Sequence, residues 1–588
     1  MKNTNSSSGS KNPTFSIFGV LAYRQFYGKA AAVDPIGQLL KYPTDVLIIM
    51  LSKINAIIFE CGGDPNQIDN DTFSLVFNKL HRSIYERLIK IRSTPEGKYA
   101  AVFSSQVIVN LMAKLIARYR PIDDQDSINE ESEALLQKDL FDTLLAINEA
   151  YYNRADTKNL LSIDFLWKLE LFQQEFARKK ADMYGVNALK AFLFFRFVGE
   201  RYGEAPLKEF AAAFSVVSPY NFYFVFLQTI ISSYTGYEQD RQPRYCIVDA
   251  TLERVLEPFI YDPAAASGSS FSGESFALIN QPFYRFSEGV AVLDFDFFSN
   301  LTDISLIYHF YKVTSLKKNH GINNYNEYLG IIGKYFFEEY ITLQLVRQIF
   351  THRYDTIKTD KDDPQYPDIL IMQNNKDVFV IEVKSTRIHG TVVDRADTQG
   401  LQQFLYDQFA TEKKFAGEKN KGIYQLRNQI RHLKSLGSKF RLFPIIVYTE
   451  PSLDISGVNT FLDEQFDAII SDERSSFIKT HPLTLIHLHF FIKYYPQLKT
   501  ERFFLRDRVT EYHDRKKKEL KEAIKKANPW TYLTAQFSFM RFMEQAYPTG
   551  DPMSYFTKAA TDFGFGEQAQ DAGNLPYQLR NLFVIIIN

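Results

Sequence analysis

The stretch that most narrows what this chain can fold into is YPDILIMQNNKDVFVIEVKSTR, from Tyr366 to Arg387. Ile369 to Gln373 and Val378 to Ser385 are rich in Ile, Val and Phe. Asn374, Asn375, Lys376 and Asp377 between them are turn residues, so the stretch predicts a β-hairpin. Side chains alternate along a strand, which puts Val378, Val380, Glu382 and Lys384 on one face and Phe379, Ile381 and Val383 on the other. Folding the first strand back across the turn sets Asp368, at its outer end, beside Glu382 and Lys384. Two carboxylates and an amine then converge on an otherwise apolar hairpin.

A hard cation such as Mg²⁺, with Mn²⁺ as a substitute, takes carboxylate oxygen and water and commonly only one or two protein carboxylates. Asp368 and Glu382 meet that demand. A metal there would polarise a phosphoryl oxygen, and the Lys384 ammonium would orient a nucleophile or offset developing negative charge. The competing reading is a buried strand that ends in a solvated Glu–Lys salt bridge. The order Pro-Asp, apolar strand, turn, apolar strand, Glu-Val-Lys favours the chemical one.

Pro367-Asp368 with Glu382-Val383-Lys384 resembles the PD-(D/E)XK nuclease superfamily, whose restriction-endonuclease-like core runs helix, strand, strand, strand, helix, strand. The resemblance implies an α/β fold with that αβββαβ core and large all-α flanking regions. It also implies Mg²⁺-dependent hydrolysis of nucleic-acid phosphodiesters, DNA by default and RNA in some members. Ile331 to Phe350 has the helical spacing expected upstream, and Gly333, Phe337, Glu338 and Tyr340 are similar to a family setting in which the helix carries a further acid. Glu338, or Glu339 beside it, would hold metal. His352 to Lys358 reads as the first strand.

Downstream, Gly422 to Gly437 is amphipathic, with Ile423, Leu426, Ile430 and Leu433 on one stripe. Gln425 resembles the glutamine that several family branches place on this helix; the residue four positions on is Gln429 where those branches usually carry tyrosine. Arg427, Arg431 and Lys434 form a basic face suited to a phosphate backbone or to solvent. Phe443 to Tyr448 reads as a buried strand after a helical crossover. Between the hairpin and that helix, Thr386 to Ala416 is longer than such a junction needs. Its basic residues Arg387, His389, Arg395, Lys413 and Lys414 suit a backbone clamp, with an insertion of no function as the alternative.

At 588 residues the chain exceeds one compact core. We divide it into a tail over 1–14, a helical domain over 15–262, a linker and connecting segment over 263–325, the nuclease-like domain over 326–497 and a C-terminal helical region over 498–588. With a formal net charge of −1, basic attraction to nucleic acid has to be local. Two cysteines exclude a disulfide framework and suit a reducing, cytoplasmic setting. Val46 to Phe59 and Tyr220 to Ile231 are too short and too interrupted to span a membrane. No phosphate-binding GxxxxGK[ST], HExxH or GxSxG motif occurs.

The aromatic runs Phe192 to Phe197 and Tyr220 to Phe226 read as core or interface, with base stacking as the lesser reading. Pro263 to Glu274 reads as the strongest linker by composition. Asp294 and Asp296 read as a solvated strand face between a short strand pair and a helix. His487 and His489 read as a sheet-edge face, and Lys499 to Asn528 as a charged helix lying in water or against DNA. The apolar FVIII run near the end reads as tucked into a core or interface.

These features predict a DNA endonuclease resembling bacterial restriction and anti-phage defence effectors, with a second copy or a protein partner docking through the helical regions. Two alternatives stay open. One is a catalytically silent or partner-gated nucleic-acid-binding or scaffold subunit of a defence or repair assembly. The other is an RNA-cleaving enzyme.

Overall fold

A computed structural model describes residues 19–565 apart from 32–33, 62–64, 95–99, 123–128, 153–161, 172–179, 224, 227–228, 230–240, 248–249, 264–274, 389, 413–419, 438, 527–528 and 550–557. The amino-terminal tail, nearly all of the Pro263 to Glu274 linker, His389, Lys413, Lys414 and the FVIII run therefore lie outside the described residues.

The protein is mixed α/β, mostly helical with two mixed sheets. The amino-terminal part is built on apolar helices such as Thr44–Glu60, which buries Leu47, Ile48, Leu51, Ile54 and Ile58 against Ser105–Ile116 and Glu130–Tyr152. Among the described residues no helix is long and apolar enough to cross a membrane.

The flank is not all-α. Gly19–Val20 (β1) pairs with Ala100–Ala101 (β2), and Cys246–Ile247 (β3), Ile260–Tyr261 (β4), Phe283–Phe286 (β5) and Gly289–Val292 (β6) form a sheet in the order β3-β6-β5-β4. Strands of two residues are too short to show an alternating pattern, so only the β5–β6 pair was legible in the sequence. Asp294 also departs from expectation. It is 3% exposed and caps the helix Phe295–Asn300, its Oδ1 accepting the Asp296 and Phe297 amides at 2.8 and 2.9 Å. An Asp before an apolar run is as good a helix cap as a strand residue, and here capping won.

The second sheet carries the predicted hairpin. Its strands are Asp355–Lys358 (β7), Ile369–Gln373 (β8), Asp377–Lys384 (β9), Arg441–Tyr448 (β10), Lys479–Thr480 (β11) and Thr484–His487 (β12). The order is β11-β10-β9-β8-β7, with β12 also beside β10. Strands β7, β8 and β9 are mutually antiparallel, whereas β9 and β10 are parallel. The hairpin turns through Asn374 and Asn375, both left-handed at φ 54° and 50°, and the Lys376 amide closes onto the Gln373 carbonyl at 3.1 Å. Asparagine tolerates that conformation better than most residues. Asp377, read as turn, instead opens β9, where its buried carboxylate accepts from Arg441 Nη2 at 2.7 Å and lies 3.5 Å from Arg506 Nη1.

Both faces of this sheet are covered, which is why its strands read as continuous apolar runs. Phe379, Ile381, Phe443, Ile445 and Val447 enter the largest core, together with Phe194 and Phe336, whose rings meet edge to face at 5.4 Å. Phe194 belongs to the helix Lys180–Tyr202, so its aromatic run is core. Val378, Val380, Leu442 and Ile446 face the other way, onto Ile423, Leu426, Ile430 and Leu433 of the crossover helix Ile423–Leu436.

Of the two histidines read as a sheet-edge face, His487 lies in β12, which pairs only with β10 among the described strands, but it is buried, and His489 lies outside the sheet. His487 ends β12 at 3% exposure, and His489 starts the helix His489–Lys493 at 6%, with Nε2 3.3 Å from the buried Lys190 Nζ. The charged helix Phe504–Lys526 buries Phe504, Val509 and Tyr512, so it has an inward face. Just before it, Arg502 Nη2 lies 3.0 Å from Asp355 Oδ1.

Candidate active site

The register decides where the carboxylates stand. Ile369 faces Ile381 across β8 and β9, so one step outward Asp368 comes opposite Glu382. Asp368 Oδ2 accepts the Val383 amide at 2.8 Å, which ties its side chain to β9. Glu382 is 1% exposed. A buried carboxylate needs donors, and it has two: Lys384 Nζ at 3.2 Å from Oε2, and Gln429 Nε2 on Oε1.

Lys384 also donates to Gln425 Oε1 at 2.7 Å, and that oxygen accepts the Gly422 amide at 2.9 Å. Gln425 and Gln429 stand one turn apart on Ile423–Leu436, so a single helix face holds both ends of the Glu382–Lys384 pair. Gln429 as a site residue was missed in the sequence. Its signal was the i, i+4 spacing from Gln425.

The fourth residue comes from the helix after Tyr325–Ile331. That helix is π-helical over Ile332–Thr342 and α-helical over Leu343–Ile349, and Thr342 Oγ1 donates to the Phe337 carbonyl, five residues back, at 2.6 Å. Wide turns of this kind recur at functional sites and rotate the faces that a regular helix would present. The two candidate glutamates have different surroundings. Glu339 Oε2 pairs with Lys361 Nζ at 2.6 Å, whereas Glu338 is the one whose charge acts on Asp368 and Lys384.

Burial and mutual repulsion dominate the electrostatics. Burial, then Asp360, Glu382 and Glu339, push Glu338 up to about 7 against the pull of Lys334. Burial, then Glu382 and Glu338, hold Asp368 well above the carboxylate range although Lys384 and the Val383 amide oppose them. Burial alone would lower Lys384, but Glu382, Asp368 and Glu338 more than offset it and keep the ammonium charged. Asp360, just past β7, is a further acid that the sequence did not single out.

Among the described residues no three His, Cys, Asp or Glu side chains form a ready-made metal cage. The donor chemistry nevertheless fits a hard divalent ion. Desolvated carboxylates raising one another's pKa mark a site short of positive charge, and Asp368 Oδ1 makes no hydrogen bond among the described residues. Asp368, Glu382 and Glu338 are the residues that would hold Mg²⁺ or Mn²⁺.

The basic residues take several positions. Arg387 and Arg395 are exposed on the segment after β9, which contains the helices Gly390–Asp394 and Thr398–Phe409. Arg427 is engaged by Glu412 at 3.0 Å, Arg431 pairs with Glu473, and Lys434 is exposed. Two of the three cations on the crossover helix thus already have acidic partners.

Two results are expected from this geometry. Gln429→Ala leaves the buried Glu382 Oε1 short of its donor and should cost about 1–3 kcal/mol in urea unfolding. The second is a pH dependence. An acid whose folded pKa lies above its ordinary 4.5 adds most stability at low pH, and that contribution is lost as pH rises towards about 7. Metal-free protein should therefore lose thermal stability between about pH 4.5 and 7, and Glu338→Gln should flatten the slope. An unchanged slope in the variant would assign the effect elsewhere.

No protein-family model, curated protein or solved structure matches this chain.

Proposed function

We propose that this chain is a metal-dependent nuclease that hydrolyses nucleic-acid phosphodiesters, with DNA as the favoured substrate. The observation that carries the reading is the meeting of Asp368, Glu382 and Lys384 from adjoining strand ends, with Glu338 in electrostatic contact. The sheet supports it. Three antiparallel strands preceded by a helix and followed by a helical crossover to a parallel strand is the order of the restriction-endonuclease-like core.

A bound divalent ion would supply Lewis acidity to the phosphoryl oxygens and an acidified water. The chain's own residues do the rest. Asp368 and Glu382 would hold the ion, with Glu338 as the further acid beside them. Lys384, kept charged by the surrounding acids, serves as a stabiliser of negative charge on the phosphorane and an anchor for the attacking water rather than as a base. Gln425 sets the direction of the Lys384 ammonium through its hydrogen bond.

One observation favours a gated form of the enzyme. Both oxygens of Glu382 are engaged, by Lys384 and by Gln429, so this carboxylate has to share or release a partner to ligate metal. Substrate, or a partner on the helical flanks, would supply that exchange, as suits a cytoplasmic defence or repair assembly.

The test is incubation of the pure chain with plasmid, linear duplex, single-stranded DNA and RNA in Mg²⁺, Mn²⁺ or EDTA, beside Asp368→Ala and Lys384→Ala. Cleavage by the parent chain alone, abolished by EDTA, is the expected result. Cleavage that persists in both variants would remove the site.

A further inference from the structure

A cleft of about 750 Å³ opens past the ends of the strands that carry the candidate site. It lies at the carboxyl ends of the parallel strands β9 and β10, where open α/β sheets commonly seat ligands, and Ser385 to Ile388 and Thr449 to Ser452 line it. Ser385 follows Lys384, and Phe337, also in the lining, precedes Glu338. Ser385 and Phe337 thus join the cleft to the segments that carry Lys384 and Glu338, although Asp368, Glu382, Lys384 and Glu338 do not themselves line it.

Four charged residues line it: Asp294, which caps the helix Phe295–Asn300, Asp296 on that helix, Glu450 and Arg387. Glu450 is 8% exposed; its Oε1 accepts the Ser452 amide at 3.2 Å, and its Oε2 is buried with no hydrogen-bond partner among the described residues. An orphaned buried acceptor is costly, so it marks a place for an N–H donor. Arg387 is exposed, and its charge is felt by both Glu450 and the Tyr325 hydroxyl. Tyr325 and the 41% exposed Leu329 also line the cleft and give it an apolar surface. A volume of this size suits one nucleotide.

We propose that this cleft seats a single nucleotide, its base against Tyr325 and Leu329 with an N–H edge on Glu450, and its phosphate towards Arg387. Guanine is the base of choice, because it alone turns two adjacent donors, N1–H and the 2-amino group, to an acceptor-only carboxylate. The nucleotide is either free or one residue of a strand whose neighbouring phosphate lies at Asp368 and Glu382. In the second case the placement rests on the nuclease reading, and the cleft confers base preference beside the scissile bond.

The experiment measures binding apart from cleavage. The full chain in EDTA is titrated with 5′-dGMP, dAMP, dCMP and dTMP by calorimetry, and with oligothymidylates carrying one central G, A or C by fluorescence anisotropy. Guanine should bind about tenfold or more tighter than the other bases, and Glu450→Gln should remove most of that preference. Leu329→Asp, on an exposed position, should weaken all bases alike. Tight dGMP binding without preference among the oligonucleotides identifies a free nucleotide as the ligand, whereas a preference among the oligonucleotides identifies the strand. Absence of binding by every probe, or a guanine preference unchanged in Glu450→Gln, overturns the proposal. Cleavage of the same oligonucleotides in Mg²⁺ is scored separately. Cleavage without any base preference removes the base pocket and keeps the nuclease, and guanine binding without cleavage does the reverse.

Discussion

Asp368→Asn should lower metal-dependent cleavage by about 10³-fold or more while raising the melting temperature of the metal-free protein. The two effects have one cause. The Asp368 carboxyl is desolvated and faces Glu382 and Glu338, so its charged form is unfavourable until a cation neutralises it. Asparagine keeps an oxygen for the Val383 amide and discards the charge. Lys384→Ala should lose activity to a similar degree but lose stability as well, because it strips the ammonium 3.2 Å from a carboxylate that is 1% exposed. Breaking a pair of that kind costs on the order of 3–5 kcal/mol when both groups are buried, and Lys384 retains 19% of its side-chain exposure, which places the expected loss below that range. Differential scanning calorimetry in EDTA separates the two variants. If both shift the melting temperature in the same direction, the electrostatic account of the site is wrong.

Gly422→Ala should unfold the crossover helix from the site, with a loss of more than about 3 kcal/mol and of cleavage together. Gly422 has φ +53°, and a Cβ placed there would stand 2.2 Å from the Phe409 carbonyl oxygen, a backbone atom that cannot turn aside. The same residue gives its amide to Gln425 Oε1, the oxygen that Lys384 also binds, so displacing it disturbs the charged pair directly. Gly321→Ala is the control. Its φ is +66°, but nothing stands within 4 Å of the added carbon, so only the left-handed conformation is penalised, at about 1–2 kcal/mol. Urea titrations of the two variants should differ clearly in midpoint. Equal midpoints would mean that the approach of Gly422 to Phe409 is relieved by a backbone shift.

These expectations depend on several residues whose importance became visible only with the fold. Gln429 stands where the family resemblance leads one to expect tyrosine, and its place on Glu382 follows from how that helix lies across β9 and β10. The choice between Glu338 and Glu339 could not be made from an α-helical wheel, because the segment carrying them is π-helical. The alternation of Asp294 and Asp296 with phenylalanine has the period of a strand, but an acidic residue before a Phe-rich run suits a helix cap equally well. Asp377 passed for a turn residue, yet Arg441 and Arg506 hold it from beyond the hairpin.

What the sequence determined by itself was local. Apolar β-branched runs around an Asn-Asn turn specify a hairpin, and its period of two places Asp368, Glu382 and Lys384 together, because strand pairing leaves only one register that buries both apolar faces. The amphipathic stripe of Ile423 to Leu436 likewise specifies a helix with its inward face. Tertiary structure decided everything that depends on distant segments sharing space: which glutamines satisfy the buried carboxylate, which glutamate faces it, and that a cleft with an orphaned Glu450 opens past the strand ends. Those outcomes are set by desolvation and by the packing of helices on a two-faced sheet, and neither leaves a periodic mark on the chain.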